Sequence, residues 1–294
     1  MRASLVSYAL GLAVVFAGCG GSTPPAESPP VAASSTPAAS ASATAPAPSA
    51  APPAAAPPEA SAVPPPHIAW GYAGDGAPDK WGDLEPDFSV CKTGKTQTPI
   101  DLPSKAAKGP ALKGLVFQYP TIPLTIFNNG HTVQVPNTGS GTLAEGADRW
   151  DLLQFHFHSP SEHTVDGRAF DAELHLVHKN AKGELAVVGV FVRKGKENKA
   201  LKAVFDNLPA EIGTDPKAVA GAKVDVKAIL PPQTGYLTYG GSLTVPPCSE
   251  GVTWFVLKTP IEASAEQIAK FREVTHGDTS RPVQPLGDRT VLQF

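Results

Sequence analysis

The chain has 294 residues, a formal net charge of −3 at pH 7 and no block of basic residues. Proteins that bind DNA or RNA carry basic patches, so we expect no nucleic-acid partner. The composition changes after residue 66, and the stretch 67–294 is long enough for one domain with a substantial hydrophobic core. This stretch contains neither a second linker nor an internal repeat.

The first 18 residues are typical of a secretory signal peptide. Arg2 precedes an apolar run over residues 5–16, which is shorter than the ~20 residues of a membrane-spanning helix. The run leads into Phe16-Ala17-Gly18-Cys19, which is similar to a bacterial lipobox, and we predict that Cys19 is lipidated. Phe16 is unusual at its position, and the alternative is an ordinary signal peptide with an incidental cysteine.

Residues 19–66 are dominated by Ala, Pro, Ser and Thr. Such a segment buries too little apolar surface to offset the entropy that is lost on ordering, so we predict a disordered tether. With a lipid on Cys19, the tether would anchor an exported domain to a bacterial envelope membrane, in the periplasm or at the cell surface. Gly20 stands where an Asp often retains lipoproteins at the inner membrane, which favours the outer membrane in a host that has two.

Beyond the tether, short β-forming runs alternate with turn signals such as Asn129-Gly130. This pattern predicts a mainly β (α+β) fold, a single domain around a large, mostly antiparallel twisted sheet with a few peripheral helices. Helices are expected at 201–208 and 265–275, the second with Ser264 as its N-cap. Strands are expected at 115–119, 124–127, 131–135, 151–158, 172–177, 186–192, 252–257 and 281–286.

Three histidines fall on two of these strands with a spacing that suits a metal site. His156 and His158 are two residues apart, and because side chains alternate along a strand, both imidazoles point to one face. An antiparallel neighbour can bring His175 beside them, whereas His178 points to the other face and is expected to be a structural or surface histidine. Three neutral imidazoles would form a zinc site with a fourth position open for water. The alternative is three unrelated histidines.

Two further side chains support a metal site. Gln154 and Glu173 each lie two residues before a candidate ligand, on the same face of their strand. There they can accept a hydrogen bond from the second ring nitrogen of a ligand histidine, which fixes the tautomer of that histidine.

Cys91 and Cys248 are the two cysteines that remain in the exported domain if Cys19 carries a lipid. An even pair in an oxidising compartment predicts one disulfide rather than a metal site. Two unpaired thiols are the alternative.

The order of motifs in the domain resembles that of the α-class carbonic anhydrases, and the resemblance runs from about Trp70 to Gln293. The motifs are Trp70-Gly71-Tyr72, QTPID at 97–101, NNGH at 128–131, QFHFH at 154–158, SEHTVD at 161–166, AELHLVH at 172–178, GGSLT at 240–244, PPCSEGVTW at 246–254 and RPVQPL at 281–286.

The resemblance implies reversible hydration of CO2 to bicarbonate and a proton by zinc-bound hydroxide, with zinc at the base of a conical cleft. It matches the zinc ligands to His156, His158 and His175, and their hydrogen-bond acceptors to Gln154 and Glu173. Thr244 and Glu162 match the pair that orients the nucleophile. His131 matches the residue that shuttles the proton out of the cleft; its alternative role is that of a solvated turn histidine.

Other matched residues line the cleft or support it. The apolar wall that holds CO2 is matched by Val133, Val177, Val187, Leu243, Val245 and Trp254, and the polar wall that orders water by Tyr72, Asn129 and Gln134. The resemblance also pairs Cys91 with Cys248 and makes His163 a structural histidine behind the site.

Two positions depart from the family. Val245 replaces a frequent second threonine, which should alter how bicarbonate and anionic inhibitors are held without removing the nucleophile. Thr279 replaces a frequent asparagine, and the backbone carbonyl by which this residue supports a zinc ligand in the family is retained.

Two other functions remain open at this stage. A catalytically silent binding protein could share the fold, although such relatives typically lack one or more zinc ligands, and all three histidines are present here. A zinc hydrolase that acts on esters is the other function, and we expect at least a weak esterase activity from the same nucleophile. The sequence leaves open whether the protein forms a homodimer.

Overall fold

A sheet of twelve strands forms the centre of the part of the chain that the computed structural model describes, residues 69–137 and 140–294. These residues belong to one compact unit, Val63–Phe294. The predicted signal peptide, the lipidation site Cys19 and the predicted tether are outside the described residues. Within the described part, no helix is long and apolar enough to cross a membrane.

The regular elements of the described residues are mostly strands. The strands are β1 Asp101–Leu102, β2 Ala107–Lys108, β3 Leu115–Gln118, β4 Thr121–Asn128, β5 Val133–Pro136, β6 Thr142–Glu145, β7 Asp148–His158, β8 Thr164–Val165, β9 Arg168–Ala169, β10 Ala172–Lys179, β11 Leu185–Lys194, β12 Lys217–Asp225, β13 Tyr236–Ser242, β14 Glu250–Ala263 and β15 Leu292–Gln293. The helices are α1 Trp81–Leu84, α2 Val90–Thr93, α3 Lys202–Phe205, α4 Val226–Ile229 and α5 Ala265–Val274, with 3-10 turns at Gly74–Gly76 and Pro86–Phe88.

The large sheet has the order β12-β4-β5-β7-β10-β11-β14-β13-β15-β2, with β6 joining β3 to β7. Most neighbours are antiparallel, but β11 pairs with β14 and β15 with β2 in parallel. A small sheet of β1, β8 and β9 lies apart from it. The predicted mainly β fold around one large, mostly antiparallel sheet is therefore confirmed, and the two parallel pairs make the sheet a mixed one.

Alternation along the central strands sorts the apolar side chains into two clusters. Phe155 and Phe157 of β7 and Leu174 and Leu176 of β10 are all buried in the larger cluster. Each such side chain contributes about 1.5–3 kcal/mol to folding. Their neighbours in sequence, including the candidate ligand histidines, therefore point to the opposite face of the sheet.

The helix predictions are only partly right. Ser264 is the N-cap of α5, where its hydroxyl accepts a hydrogen bond from the backbone N–H of Gln267, as predicted. The helix expected at 201–208 is reduced to the four residues of α3. Pro209 follows this stretch, and a proline disfavours helical geometry in the residue before it.

Several strand predictions also need correction. The stretch 281–286 runs outside any ladder, because Pro282 and Pro285 lack the N–H that pairing requires. Strand β12 was missed because it is mostly exposed and has no apolar alternation. Strand β13 was missed because Gly240 and Gly241 interrupt its pattern.

The predicted disulfide between Cys91 and Cys248 is present and buried. It joins α2 to the turn after β13, two parts of the chain that are 157 residues apart in sequence. The bond thus ties the N-terminal part of the domain to the segment that carries Thr244.

His178 is buried on the face opposite the ligand histidines, as alternation predicted. Its Nε2 lies 2.7 Å from the hydroxyl of Tyr119, and both residues are buried. Burial lowers the pKa of the His178 imidazole to about 4. This histidine therefore has a structural role in the larger cluster.

The substitution His178→Gln should make stability less dependent on pH. The unfolded chain binds a proton at His178 below about pH 6.5, whereas the folded chain does so only near pH 4. The unfolded state therefore gains stability as the pH falls through this window, by about 2 kcal/mol at pH 5. Urea unfolding at pH 7 and at pH 5 should show that the free energy of unfolding decreases less for the variant than for the wild type between these two pH values. The exposed His276, changed to Gln, is the control; equal losses in all three proteins would contradict the prediction.

Candidate metal centre and active site

The pairing of β7 with β10 brings the three predicted ligands together. His156 lies directly opposite His175, and His158 lies opposite Glu173. The three imidazole centroids are 4.8–5.3 Å apart. One ring nitrogen from each histidine can be chosen so that all three lie within 4.8 Å of one another.

The hydrogen-bond partners identify which ring nitrogens are free. His156 Nδ1 lies 2.8 Å from Gln154 Oε1, and His158 Nδ1 lies 2.6 Å from the backbone oxygen of Thr279. His175 Nε2 lies 3.1 Å from Glu173 Oε1, a close contact that falls short of ideal hydrogen-bond alignment. The nitrogens left to bind a metal are thus Nε2 of His156 and His158 and Nδ1 of His175.

These nitrogens suit a metal ion. His158 Nε2 is buried without a hydrogen-bond partner among the described residues, which is costly unless another group binds it. Burial first, and the neighbouring imidazoles second, hold the pKa of His156 well below its ordinary value. Burial also lowers the pKa of His158. Neutral imidazoles are the form that coordinates a metal, so the donor set fits a three-histidine zinc site.

Glu173 is fully buried, and both of its carboxylate oxygens have polar partners. Its Oε2 accepts hydrogen bonds from the backbone N–H groups of Glu162 and His163, at 3.0 and 2.9 Å. Its Oε1 lies 2.7 Å from Nδ1 of His163 and faces His175. Burial alone would raise the pKa of Glu173, but electrostatic attraction to the His163 and His175 rings and the hydrogen bonds with them outweigh burial and hold that pKa far below its usual range.

Glu162 lies against the free ring nitrogens. Its Oε1 accepts a hydrogen bond from the backbone N–H of Arg281 at 2.9 Å. Its buried Oε2 lies 3.5 Å from His158 Nε2 and 3.8 Å from His175 Nδ1. Thr244 is buried two residues beyond the end of β13, and its hydrogen bond to Glu162 stays a prediction.

Four of the residues predicted to form the apolar wall pack in the second cluster, which lies on the face of the ligands. They are Val177, Val187, Leu243 and Trp254. The Trp254 ring meets the His175 imidazole edge-on, with centroids 4.9 Å apart. Val245 is half-buried in the turn after β13, and its place in the wall stays a prediction.

The assignment of Val133 to this wall was wrong. Gln134 pairs with His156 in the ladder, so Gln134 lies on the metal face and Val133 on the other. Val133 is fully buried in the larger cluster. The register between β5 and β7, which cannot be read from one strand, decides this point.

His131 lies before β5, which begins at Val133 rather than at residue 131 as expected. Its imidazole stacks on Trp70, with centroids 3.5 Å apart and planes 11° apart. It is half-buried, and burial lowers its pKa. No sequence pattern indicates this stacking, because it joins residues from different segments of the chain.

Two residues of the predicted polar wall, Asn129 and Tyr72, contact this histidine. Asn129 Oδ1 accepts hydrogen bonds from the backbone N–H groups of His131 and Thr132, both at 2.9 Å, so Asn129 shapes the turn that holds His131. The Tyr72 ring meets His131 at 6.5 Å, edge-on. The Tyr72 hydroxyl has no hydrogen-bond partner among the described residues, and burial, then the Glu162 charge, raises its pKa.

Residues 76–294 match the family described as eukaryotic-type carbonic anhydrase. This range covers well over half of the chain. The chain belongs to the α-class carbonic anhydrases. Its predicted membership is thereby confirmed, and it catalyses the reversible hydration of CO2 to bicarbonate. The family depends on zinc in general, and the three-histidine group fits that metal.

Individual relatives agree with this membership. A carbonic anhydrase of Nostoc sp. is 46% identical over 229 residues, which are 77% of this chain and 86% of that protein. The α-carbonic anhydrase of Thermovibrio ammonificans, solved with the inhibitor sulfanilamide, has a TM-score of 0.73 and 45% identity, and the match covers 76% of this chain and 98% of that one. Dioscorin complexed with ascorbate shares the fold at 28% identity and a TM-score of 0.71, with 77% and 98% covered. The silent alternative is not favoured for this carbonic anhydrase, which retains all three histidines.

The role of Gln154 can be tested by comparing two substitutions. Gln154→Ala removes the acceptor of His156 Nδ1, and we expect the zinc affinity to fall about tenfold or more. Gln154→Glu keeps an acceptor and should preserve the affinity. Competition with a chromophoric chelator measures both values. Equal losses in the two variants would show that the acceptor is unimportant.

Proposed function

We propose that this carbonic anhydrase acts through a zinc ion held by His156, His158 and His175. The proposal rests on the convergence of three ring nitrogens within 4.8 Å, while the second nitrogen of each ring faces an acceptor. When bound, zinc supplies a positive charge that acidifies water and so makes a nucleophile available near neutral pH, an effect for which carbonic anhydrase is the standard example.

The surrounding residues orient the reactants. In this proposal Glu162, fixed at Oε1 by the backbone N–H of Arg281, accepts a hydrogen bond from the Thr244 hydroxyl. The Thr244 oxygen can then accept a hydrogen bond from the attacking group. The apolar side chains of Val177, Val187 and Trp254 give CO2 a site without competing hydrogen bonds.

The proton released by the reaction must leave the cleft. We assign this task to His131, because an imidazole titrates near neutral pH and this one is half-buried near the turn that Asn129 shapes. Tyr72 and Gln134 are proposed to order the water between the metal centre and His131. The same nucleophile would also attack activated esters, which gives the weak side activity expected above.

The cellular setting is also a proposal. The sequence at 1–19 supports export and lipidation at Cys19, and the Pro- and Ala-rich segment after it supports a tether. We therefore infer that the enzyme is anchored to an envelope membrane and interconverts CO2 and bicarbonate outside the cytoplasm. In a host with two membranes, we infer that the anchor lies in the outer membrane.

Stopped-flow CO2 hydration tests the metal proposal directly. The zinc-loaded full chain should hydrate CO2, and removal of zinc with a chelator should lower the rate by about a hundredfold or more, with recovery when zinc is restored. His156→Ala should bind zinc weakly and stay slow at equal zinc concentration. Hydration that is insensitive to the chelator would overturn the proposal.

His131→Ala should slow hydration in weak buffer by about tenfold or more, because the proton then lacks its acceptor. Added imidazole should restore the rate, since it replaces the missing side chain from solution. The exposed His276→Ala is the matched control and should behave like the wild type. An unchanged rate for His131→Ala in weak buffer would show that the shuttle assignment is wrong.

A further inference from the structure

We propose that Asn128 is a positioning residue for proton transfer: its side chain fastens the turn that carries His131 to the end of α5 and to the loop between α3 and β12. Asn128 is the last residue of β4 and is 1% exposed. The inference rests on the shuttle role proposed above for His131 and adds to it the residue that holds this histidine in place.

Every hydrogen-bonding group of the Asn128 side chain has a partner. Its Nδ2 donates to the backbone oxygen of Val274 at 2.8 Å and to that of Pro209 at 3.2 Å. Its Oδ1 accepts a hydrogen bond from the backbone N–H of Gly130 at 2.9 Å. Two carbonyl oxygens on one side of the amide and an N–H on the other allow only this orientation of the group. One buried side chain thus joins the turn to two distant segments.

The backbone of Asn128 binds the same loop, residues 209–213. Its carbonyl oxygen accepts a hydrogen bond from the N–H of Gly213 at 2.8 Å, and Asn128 forms an isolated parallel bridge with Ile212. The Ile212 side chain lies over the turn, since a Cβ added at Gly130 would be 3.3 Å from its Cγ2. The loop is therefore held against the turn by side-chain bonds, backbone bonds and packing.

The turn depends on such support because it contains a glycine in a left-handed conformation. Gly130 has a φ of 87°, and the freedom that lets glycine adopt this region also makes it costly to fix. Within the turn, Asn129 accepts hydrogen bonds from the backbone N–H groups of His131 and Thr132. These bonds fix the shape of the turn, whereas the bonds of Asn128 fix its position relative to the rest of the domain.

The position of the turn decides where the imidazole lies. His131 stacks on Trp70 with ring centroids 3.5 Å apart, and Trp70 belongs to the N-terminal segment rather than to the sheet. A shift of the turn would therefore separate the two rings. Among the described residues, no hydrogen-bond partner of the Asn128 side chain is a ligand histidine or an acceptor of one. Loss of Asn128 should thus impair proton transfer while the attack on CO2 continues.

Stopped-flow CO2 hydration by the zinc-loaded full chain separates these two effects. In weak buffer, kcat of Asn128→Ala should fall about fivefold, less than for His131→Ala because the imidazole is displaced rather than removed. Added imidazole should restore kcat. The ratio kcat/KM should stay within about twofold of the wild type, because the proton leaves only after bicarbonate has formed. An unchanged kcat, equal losses in kcat and kcat/KM, or no recovery with imidazole would overturn the proposal.

Asn198→Ala is the matched control, because Asn198 makes the same kinds of bonds near the start of α5. Its Nδ2 donates to the backbone oxygen of Glu262 at 2.9 Å, and its Oδ1 accepts a hydrogen bond from the backbone N–H of Leu201 at 3.1 Å. Its backbone N–H and carbonyl oxygen bond to Gln267 in the first turn of the helix. This variant should keep the wild-type kcat in weak buffer. Equal losses of kcat in the two asparagine variants would count against the proposal.

Proton NMR of the histidine rings tests the placement of His131 without zinc or turnover. Stacking on the Trp70 indole shields the His131 ring protons, so their signals in the wild type should lie upfield of those of the exposed His276. Asn128→Ala should move them toward the His276 positions, and Asn198→Ala should not. Unchanged His131 signals in Asn128→Ala would show that Asn128 does not hold the turn.

A measurement on the wild type decides the matter if Asn128→Ala does not fold. The side-chain N–H hydrogens of Asn128 should exchange with solvent much more slowly than those of an unstructured peptide, because both donate to carbonyl oxygens in a buried site. Exchange at the peptide rate would overturn the proposal. If His131→Ala hydrates CO2 at the wild-type rate in weak buffer, the shuttle role itself fails, and the NMR signals still decide whether Asn128 positions the turn.

Discussion

The antiparallel pairing of β7 with β10 is the constraint on which the site depends. It places His156 opposite His175, and a slip of one residue would turn one set of side chains to the wrong face. The register is held by the apolar face of the same strands, where Phe155, Phe157 and Leu174 are buried in the larger cluster. The hydrophobic core thus positions the metal ligands, although none of its side chains contacts a metal.

Buried charges around the ligands are the second requirement. Isolated carboxylates are costly to bury, and they persist where hydrogen bonds satisfy their oxygens. Backbone N–H groups from other segments hold Oε2 of Glu173 and Oε1 of Glu162, the latter through Arg281. Oε2 of Glu162 has no hydrogen-bond partner among the described residues and faces the ligand histidines. The buried Arg281 guanidinium in turn donates to the Gln97 side chain and to the backbone oxygens of Thr98 and Cys91. Through these contacts of Arg281, the disulfide residue Cys91 and the N-terminal segment help to fix the position of Glu162.

The fold alone does not decide the activity. Dioscorin, solved in complex with ascorbate, shares this fold at 28% identity. A shared fold does not fix the function, because function depends on particular side chains that the fold positions. Here the side chains that matter are the three histidines with their acceptors.

Local sequence determined which side chains share a face of one strand, where the 128–130 turn falls and where α5 begins, because alternation, turn chemistry and capping involve neighbours in the chain. The face of His156 and His158 and the role of Gln154 follow from such patterns. Tertiary structure decided that Val133 lies in the core and that Trp70 stacks on His131. No local pattern indicated the Thr279 carbonyl as an acceptor; the family resemblance implied it, and the structure shows its contact with His158. These features depend on strand register and on contacts between segments that are distant in the chain. Local sequence patterns reflect only interactions between neighbouring residues, so they do not predict such contacts.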